Sequence, residues 1–306
     1  MLIKVLGSAA GGGFPQVNCN CRNCAAARRG AAGLHPRTQS SVAVSRDGRS
    51  WALLNASPDL RQQLAAAPEL APRADAGARS SPIEAVVLTN GDVDHIAGLL
   101  SLREGLAFTL YASERVLGAL AANSVFDVLD RRLVPRVALP VAGPVDLSAL
   151  GVTLEAFPVP GKIPLYLEDA AAGTGFGTRD GDTVGLELRD PAAGTGFLYV
   201  PGCAAVDAGL AQRLTGAALV LFDGTLYTDD EMIAQGLSPK TGRRMGHIGM
   251  SGSDGAIAAF RDLGVKRRIF VHINNSNPVL REDSPERAQV EASGWEVAFD
   301  GMEIRL

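Results

Sequence analysis

The sequence predicts a mixed α/β sandwich built from one continuous domain spanning residues 1–306, and three observations carry that expectation. Short apolar runs rich in β-branched residues recur along the chain, among them I-E-A-V-V-L, A-L-V-L-F and R-I-F-V, and such runs read as buried strands. Helical patterns lie between them, which favours layered α/β packing. Hydrophobic residues make up 46% and charged residues 20% of the 306, ample material for a core.

In chain order, residues 2 to 6 read as a strand followed by the glycine-rich loop G-S-A-A-G-G-G. S-S-V-A-V-S-R-D-G-R-S-W-A-L-L-N reads as a hairpin turning at Asp47-Gly48. P-D-L-R-Q-Q-L opens a helix with Pro58 in its first turn. Residues 67 to 82 are rich in Ala and Pro and read as a surface loop. A strand over 83–88 leads through T-N-G-D-V-D-H into the helical pattern I-A-G-L-L-S-L. Y-A-S-E-R-V-L-G-A-L-A-A-N begins extended and becomes helical, and residues 133 to 160 suggest successive strands with turns. Residues 161–182 hold too much Gly and Ala for a regular element and read as a long insertion over an active site. T-V-G-L-E-L, G-F-L-Y-V-P and A-L-V-L-F-D follow as strands, then S-G-S-D-G-A-I-A-A-F-R-D-L-G as a capped helix. R-R-I-F-V-H is a core strand, and W-E-V-A-F-D-G-M-E-I-R-L reads as a closing hairpin.

A net charge of -4 excludes a basic nucleic-acid surface. The apolar runs fall far short of the ~20 residues of a membrane span. Met1 leads directly into a strand, so the expected location is cytoplasmic. Three of the four cysteines, Cys19, Cys21 and Cys24, lie within six residues, a spacing awkward for disulfides and natural for a metal.

The glycine loop fails as a nucleotide site, because Ala9 and Phe14 stand where a dinucleotide fingerprint and a phosphate loop need Gly and Lys. It reads instead as a loop needing positive φ or close backbone approach. C-N-C-R-N-C offers three soft thiolates for Zn2+. A fourth ligand must come from elsewhere: His35, Cys203 or a group near the end of strand 269–273. Asp94, His95, Asp223 and His272 each lie at or just beyond the end of an apolar strand. Polar groups in such buried surroundings need partners, and one metal ion would satisfy all four. His247, a lone histidine before a helix, reads by itself as a structural or surface residue.

Three stretches, G-S-A-A-G-G-G-F-P-Q-V-N-C-N-C-R-N-C, T-N-G-D-V-D-H-I-A-G-L and V-H-I-N-N-S-N-P, together resemble the pyrroloquinoline quinone (PQQ) biosynthesis protein B family of the metallo-β-lactamase superfamily. The resemblance runs nearly end to end and implies a four-layer αββα sandwich. Dinuclear relatives read H-x-H-x-D-H where this chain has Asn90 and Asp92 in place of the first two histidines. One active-centre metal is therefore expected, held by Asp94, His95, Asp223 and His272, with Asp92 as an added ligand or a group behind the ligands. Where a phosphodiesterase relative with the same cysteine loop has a histidine as fourth zinc ligand, this chain has Asn275. His247 matches a proton donor of the hydrolytic relatives. The resemblance implies an Fe2+- and O2-dependent hydroxylation of the tyrosine-derived ring of a cross-linked Glu-Tyr precursor. A mononuclear zinc hydrolase and a non-enzymatic PQQ carrier or transport factor are the alternatives. A carboxylate-rich precursor needs a cationic receiver, for which Lys162 and Arg179 in the insertion are candidates. The small-molecule precursor and O2 are the expected partners, without nucleic acid or membrane. The identity of the active-site metal and the oligomeric state, a homo-oligomer included, stay open.

Overall fold

A computed structural model describes residues 1–140 and 143–306. The first sheet takes β1 (Leu2–Gly7), β2 (Ser41–Ser45), β3 (Trp51–Leu54), β4 (Ile83–Val87), β5 (Thr109–Ala112) and β6 (Arg136–Ala138). The second takes β7 (Val145–Leu147), β8 (Val152–Pro158), β9 (Val184–Asp190), β10 (Thr195–Val200), β11 (Leu219–Asp223), β12 (Arg267–Val271) and β13 (Glu296–Val297). β14 (Glu303–Arg305) returns to the first sheet beside β1. Each sheet is antiparallel on one side and parallel on the other: β3 to β6 in the first, β10 to β13 in the second. The expected turn between β6 and β7 includes residues 141 and 142, which lie outside the described residues.

The helices are α1 (Arg22–Arg28), α2 (Leu60–Ala66), α3 (Val93–Ile96), α4 (Glu114–Ala121), α5 (Ala208–Leu214), α6 (Glu231–Ala234), α7 (Ala256–Ala259) and α8 (Pro285–Ala292). Three apolar cores stack through the molecule, which makes four layers. The central one joins the facing sides of the sheets, with Val42, Leu54 and Val87 against Leu186, Leu221 and Ile269. The outer core of the first sheet packs Leu53 and Val86 against Leu60, Val116 and Leu120. The outer core of the second packs Val220 and Phe270 against Leu210, Phe260 and Val290. β11 shows why its run is continuously apolar: Leu219 and Leu221 face the central core while Val220 and Phe222 face the helices.

Three sequence expectations need correction. The closing segment is not a hairpin, because β13 pairs with β12 in one sheet and β14 with β1 in the other. The turn between them crosses the sandwich, anchored by Asp300, which accepts N–H and O–H bonds from Ser8 and Thr38. The 251–264 helix shrinks to the four residues of α7, and its N-cap is Gly255, with no side-chain cap. A Cβ at Gly255 would lie 2.1 Å from the Ser251 carbonyl oxygen, so tight packing rather than capping chemistry selects this glycine. The helix at His95 begins before it, at Val93, and continues as a 3-10 helix over Ala97–Leu102. There Gly98 lies so close to the 56–57 backbone that a Cβ would sit 2.1 Å from the Ser57 carbonyl oxygen.

Candidate metal centre

The parallel strands of both sheets deliver their C-terminal ends to one rim, the usual place for a site in such sheets. Asp94 and His95 lie in the turn after β4, Asp223 closes β11, and His272 follows β12. The glycine loop after β1 closes the rim from the side. A Cβ on Gly11 would be 3.4 Å from Asp94 Oδ2, and Gly12 and Gly13 have φ of +89° and +67°. Positive φ operates at Gly12 and Gly13, and close backbone approach at Gly7, where a Cβ would lie 2.1 Å from the Gln39 carbonyl oxygen.

One carboxylate oxygen of Asp94 and one nitrogen each of His95 and His272 lie within 4.8 Å of one another. Their ring orientations are set from behind. His95 Nδ1 is 2.8 Å from Asn90 Oδ1, which also accepts the Asp92 N–H, so this oxygen is an acceptor and Nδ1 carries the proton. His95 Nε2 then presents a lone pair; it is buried and has no hydrogen-bond partner. A buried acceptor with nothing to accept is costly in protein alone and suits a metal ion. His272 Nδ1 is 2.8 Å from Thr225 Oγ1, whose own proton goes to Asp223 Oδ1 at 2.6 Å. That leaves His272 Nε2 toward Asp94 Oδ2, at 3.0 Å. His272 adopts a left-handed backbone, φ +57°, rare outside glycine and frequent at functional positions.

Burial lowers the pKa of His95 to about 4, which keeps its imidazole neutral and ready to ligate. Burial also opposes charge on His272, but the Asp94 carboxylate outweighs it and holds the pKa above the ordinary value. Asp94 is held below the usual carboxylate range: burial opposes ionisation, and His95 and His272 overcome it.

Asp223, a ligand on the sequence reading, lies with His247 and His272 in a further group whose ligand atoms are within 4.8 Å of one another, and its carboxylate is also engaged by protein donors. Oδ2 accepts from Cys203 N–H at 2.9 Å and from His247 Nδ1 at 2.8 Å; Oδ1 accepts from the N–H and hydroxyl of Thr225. Four protein donors thus meet one fully buried carboxylate. Asp223 orients His247 directly and His272 through Thr225. His247 lies in the same cavity wall, its ring stacked on that of His272 with centroids 5.1 Å apart. Asp92 is paired with Lys162, Nζ to the carboxylate oxygens at 3.1 and 3.3 Å.

Asp92, Asp94, Thr225, His247 and His272 border a cavity of about 260 Å³, which Lys162 also lines. Arg179 does not; it borders a separate cavity near Asp207. Lys240 and Arg244 are cavity residues that sequence reasoning missed. The R-R-M-G-H run leading to His247 was the available signal for Arg244. A larger cavity, about 740 Å³, lies between α4 and the 161–182 segment, but none of the three metal-ligating clusters borders it. Chemistry therefore places the site in the smaller one.

The cysteine loop forms a second centre. The sulfurs of Cys19, Cys21 and Cys24 lie within 4.8 Å of one another. Each accepts a backbone N–H, from Cys21, Cys24 and Gln16 respectively, at 3.3 to 3.5 Å. The Asn275 side-chain amide contacts all three, at 3.1, 3.6 and 3.3 Å. Of the three candidates for the fourth position, only Asn275 is at the sulfurs. His35 is on the surface beside Glu282, and Cys203 is buried beside Asp223.

Between the two centres, Glu231 ties the post-β11 loop to the post-β12 segment, accepting from Tyr227 N–H and the Ser276 hydroxyl. Burial pushes its pKa up to about 7 from an ordinary 4.5. The folded form thus binds this proton more tightly than the unfolded one. Stability from Glu231 is full below pH 4.5 and is lost as pH rises through 7, by about 3 kcal/mol. Glu231→Gln should lack that slope. Urea unfolding at pH 5 and pH 8 tests it: the difference between variant and wild type should grow with pH, and an equal difference at both would refute the assignment.

Residues 50–273 match the family model described as a beta-lactamase superfamily domain, the class that this four-layer fold with its strand-end ligands defines. The chain is 53% identical over 307 residues to coenzyme PQQ synthesis protein B of Methylorubrum extorquens strain PA1, covering all of both chains. It is 51% identical to the protein of that name from Xanthomonas oryzae pv. oryzae strain MAFF 311018, again covering 100% of each. The crystal structure of Zn(2+)-bound PqqB from Methylobacterium extorquens superposes with a TM-score of 0.94 at 51% identity over the whole of both chains. The chain belongs to the coenzyme PQQ synthesis protein B family.

Proposed function

We propose that the chain acts in PQQ biosynthesis as an Fe2+- and O2-dependent hydroxylase of the tyrosine-derived ring of a cross-linked Glu-Tyr precursor. One observation carries the reading: two imidazole nitrogens and one carboxylate oxygen, from His95, His272 and Asp94, lie within 4.8 Å of one another. Two histidines and a carboxylate are the ligand set of non-haem Fe(II) oxygenases. Asn90 and Asp92 support a mononuclear centre. Asn90 is committed to His95 and the Asp92 N–H, and Asp92 to Lys162, so neither is free to hold a second ion. Iron, when bound, supplies the one-electron and O2 chemistry that side chains lack.

The chain's own groups do the rest. Asp223 and Thr225 hold two imidazoles in one tautomer each. His247, proton on Nδ1, keeps Nε2 as an acceptor for the ring hydroxyl proton. The three thiolates would hold Zn2+ as a structural ion, with the Asn275 amide covering them. The Zn(2+) in the solved relative favours a second reading, a mononuclear zinc hydrolase on the same ligands.

Oxygen uptake on adding the precursor, with metal content assigned site by site, separates the two. Full turnover with zinc in both centres and no oxygen uptake would sink the hydroxylase. His247→Ala should keep active-centre metal and slow turnover by ~10²- to 10⁴-fold. Loss of metal in that variant would instead make His247 a ligand.

A further inference from the structure

Three cations, Lys162, Lys240 and Arg244, border the cavity that holds the Asp94–His272 pair. Arg244 is displayed for recognition of a planar anion. Its Nη1 and Nη2 grip both oxygens of Glu168, at 3.0 and 2.7 Å, and its guanidinium stacks 3.6 Å from the Phe176 ring centroid. Paired N–H donors in a fixed fork are the geometry that selects carboxylates. Lys240 and Lys162 also bear electrostatically on Glu168. Among the described residues Lys240 has no carboxylate oxygen within 4.0 Å of its Nζ. So a carboxylate already occupies the Arg244 fork in a cavity that two lysines also border, and it belongs to the 161–182 segment.

That segment is fastened mainly by polar contacts. The Tyr166 hydroxyl donates to the Gly91 carbonyl at 2.8 Å, Lys162 pairs with Asp92, and Arg244 holds both Glu168 and Phe176. Ile163 at its start is buried and Asp182 at its end is held by Arg115, but Leu165, Tyr166 and Leu167 between them are 60%, 44% and 38% exposed, so little apolar burial opposes release of the stretch around Glu168.

We propose that Arg244 and Lys240 form the subsite for a carboxylate of the substrate, and that this carboxylate exchanges with Glu168, freeing the 161–182 segment from the cavity mouth. The ligand class is a small molecule with two or more carboxylates, its reacting end toward Asp94, His95 and His272. Glu168 is then an internal competitor that sets a threshold: a monocarboxylate gains little by replacing it, while a polycarboxylate gains the added pull of Lys240 and Lys162. This rests on reading the cavity as the substrate pocket, but not on the hydroxylation chemistry.

Calorimetric titration of the metal-loaded full chain with benzene-1,3,5-tricarboxylate, and with the uncharged tricarboxamide as control, tests it without turnover. Glu168→Gln should bind the tricarboxylate about tenfold tighter than wild type, and Arg244→Gln about 10- to 100-fold weaker, the range of one or two charged hydrogen bonds. Arg244→Lys should recover only part, since the charge returns without the fork. The tricarboxamide should bind none of them. Unchanged affinity in Arg244→Gln, or unchanged or weaker affinity in Glu168→Gln, overturns the proposal. Should Arg244→Gln fail to fold, Lys240→Gln decides: a several-fold loss supports the subsite and no change removes it. Absence of oxygen uptake in the turnover assay would sink the hydroxylase reading and leave these binding results standing.

Discussion

His272→Ala is expected to empty the active-centre metal site and abolish turnover, the largest effect of any single change. The substitution removes one of three converging ligand atoms. It also strands what His272 held: Asp94 loses the imidazole 3.0 Å from its carboxylate, and Thr225 loses the ring nitrogen at 2.8 Å. A partly buried carboxylate facing only His95 is a poor cation site and a poorly compensated charge. Left-handed φ costs any non-glycine residue ~1–2 kcal/mol, His272 included, and alanine populates this region less readily than histidine. His272→Asn, a residue that tolerates this region, separates ligation from strain. Both variants should lose one metal equivalent per chain by mass spectrometry of total metal, with oxygen uptake at background. Retention of that equivalent in both would show that the centre is assembled from other residues.

Cys21→Ser should release the other equivalent and lower the melting temperature by on the order of 10 °C, if a structural ion here contributes several kcal/mol. Cys21 does two jobs: its sulfur belongs to the cluster and it caps α1 by accepting the Cys24 N–H. The cluster in turn fastens the N-terminal segment to the chain beyond β12. Asn23 donates to the carbonyls of Asn275 and Asn277, and Asn275 covers the sulfurs. Without an ion, the thiols and that amide face each other in a partly buried pocket. Asp94, His95 and His272 are not among the cluster's sulfur ligands and should keep their metal. Calorimetry paired with zinc analysis checks both halves, and unchanged zinc and melting temperature in the variant would remove the structural role.

The central strands were legible because β11 and β12 are covered on both faces and therefore read as unbroken apolar runs. The strand-end residues Asp94, His95, Asp223 and His272 stood out for the complementary reason, as polar groups closing such runs. Periodicity carries no information about which sheet a short strand joins, so the last two strands, of two and three residues, were misread as partners. Asn90 looked like a loss from a motif; only its 2.8 Å contact with His95 reveals it as the group that sets a tautomer. Arg244 and Glu168 lie 76 residues apart, and nothing local links them. Asp223 was visible as a strand-end acid, but its four donors come from three separate positions, 203, 225 and 247.

The active-centre ligands come from opposite halves of the sandwich: Asp94 and His95 follow β4 of one sheet, and His272 follows β12 of the other. An ion held there is a rivet between the sheets, so its binding energy is also cohesion energy of the whole molecule. By mass action, free metal at a thousand times its dissociation constant adds about 4 kcal/mol to folding stability. The linkage runs the other way as well. A core substitution that lets the sheets slide by a fraction of an ångström, far from any ligand, alters the bite of the site and weakens the metal. Resistance to unfolding and metal affinity are, for this architecture, two readouts of one inter-sheet registry.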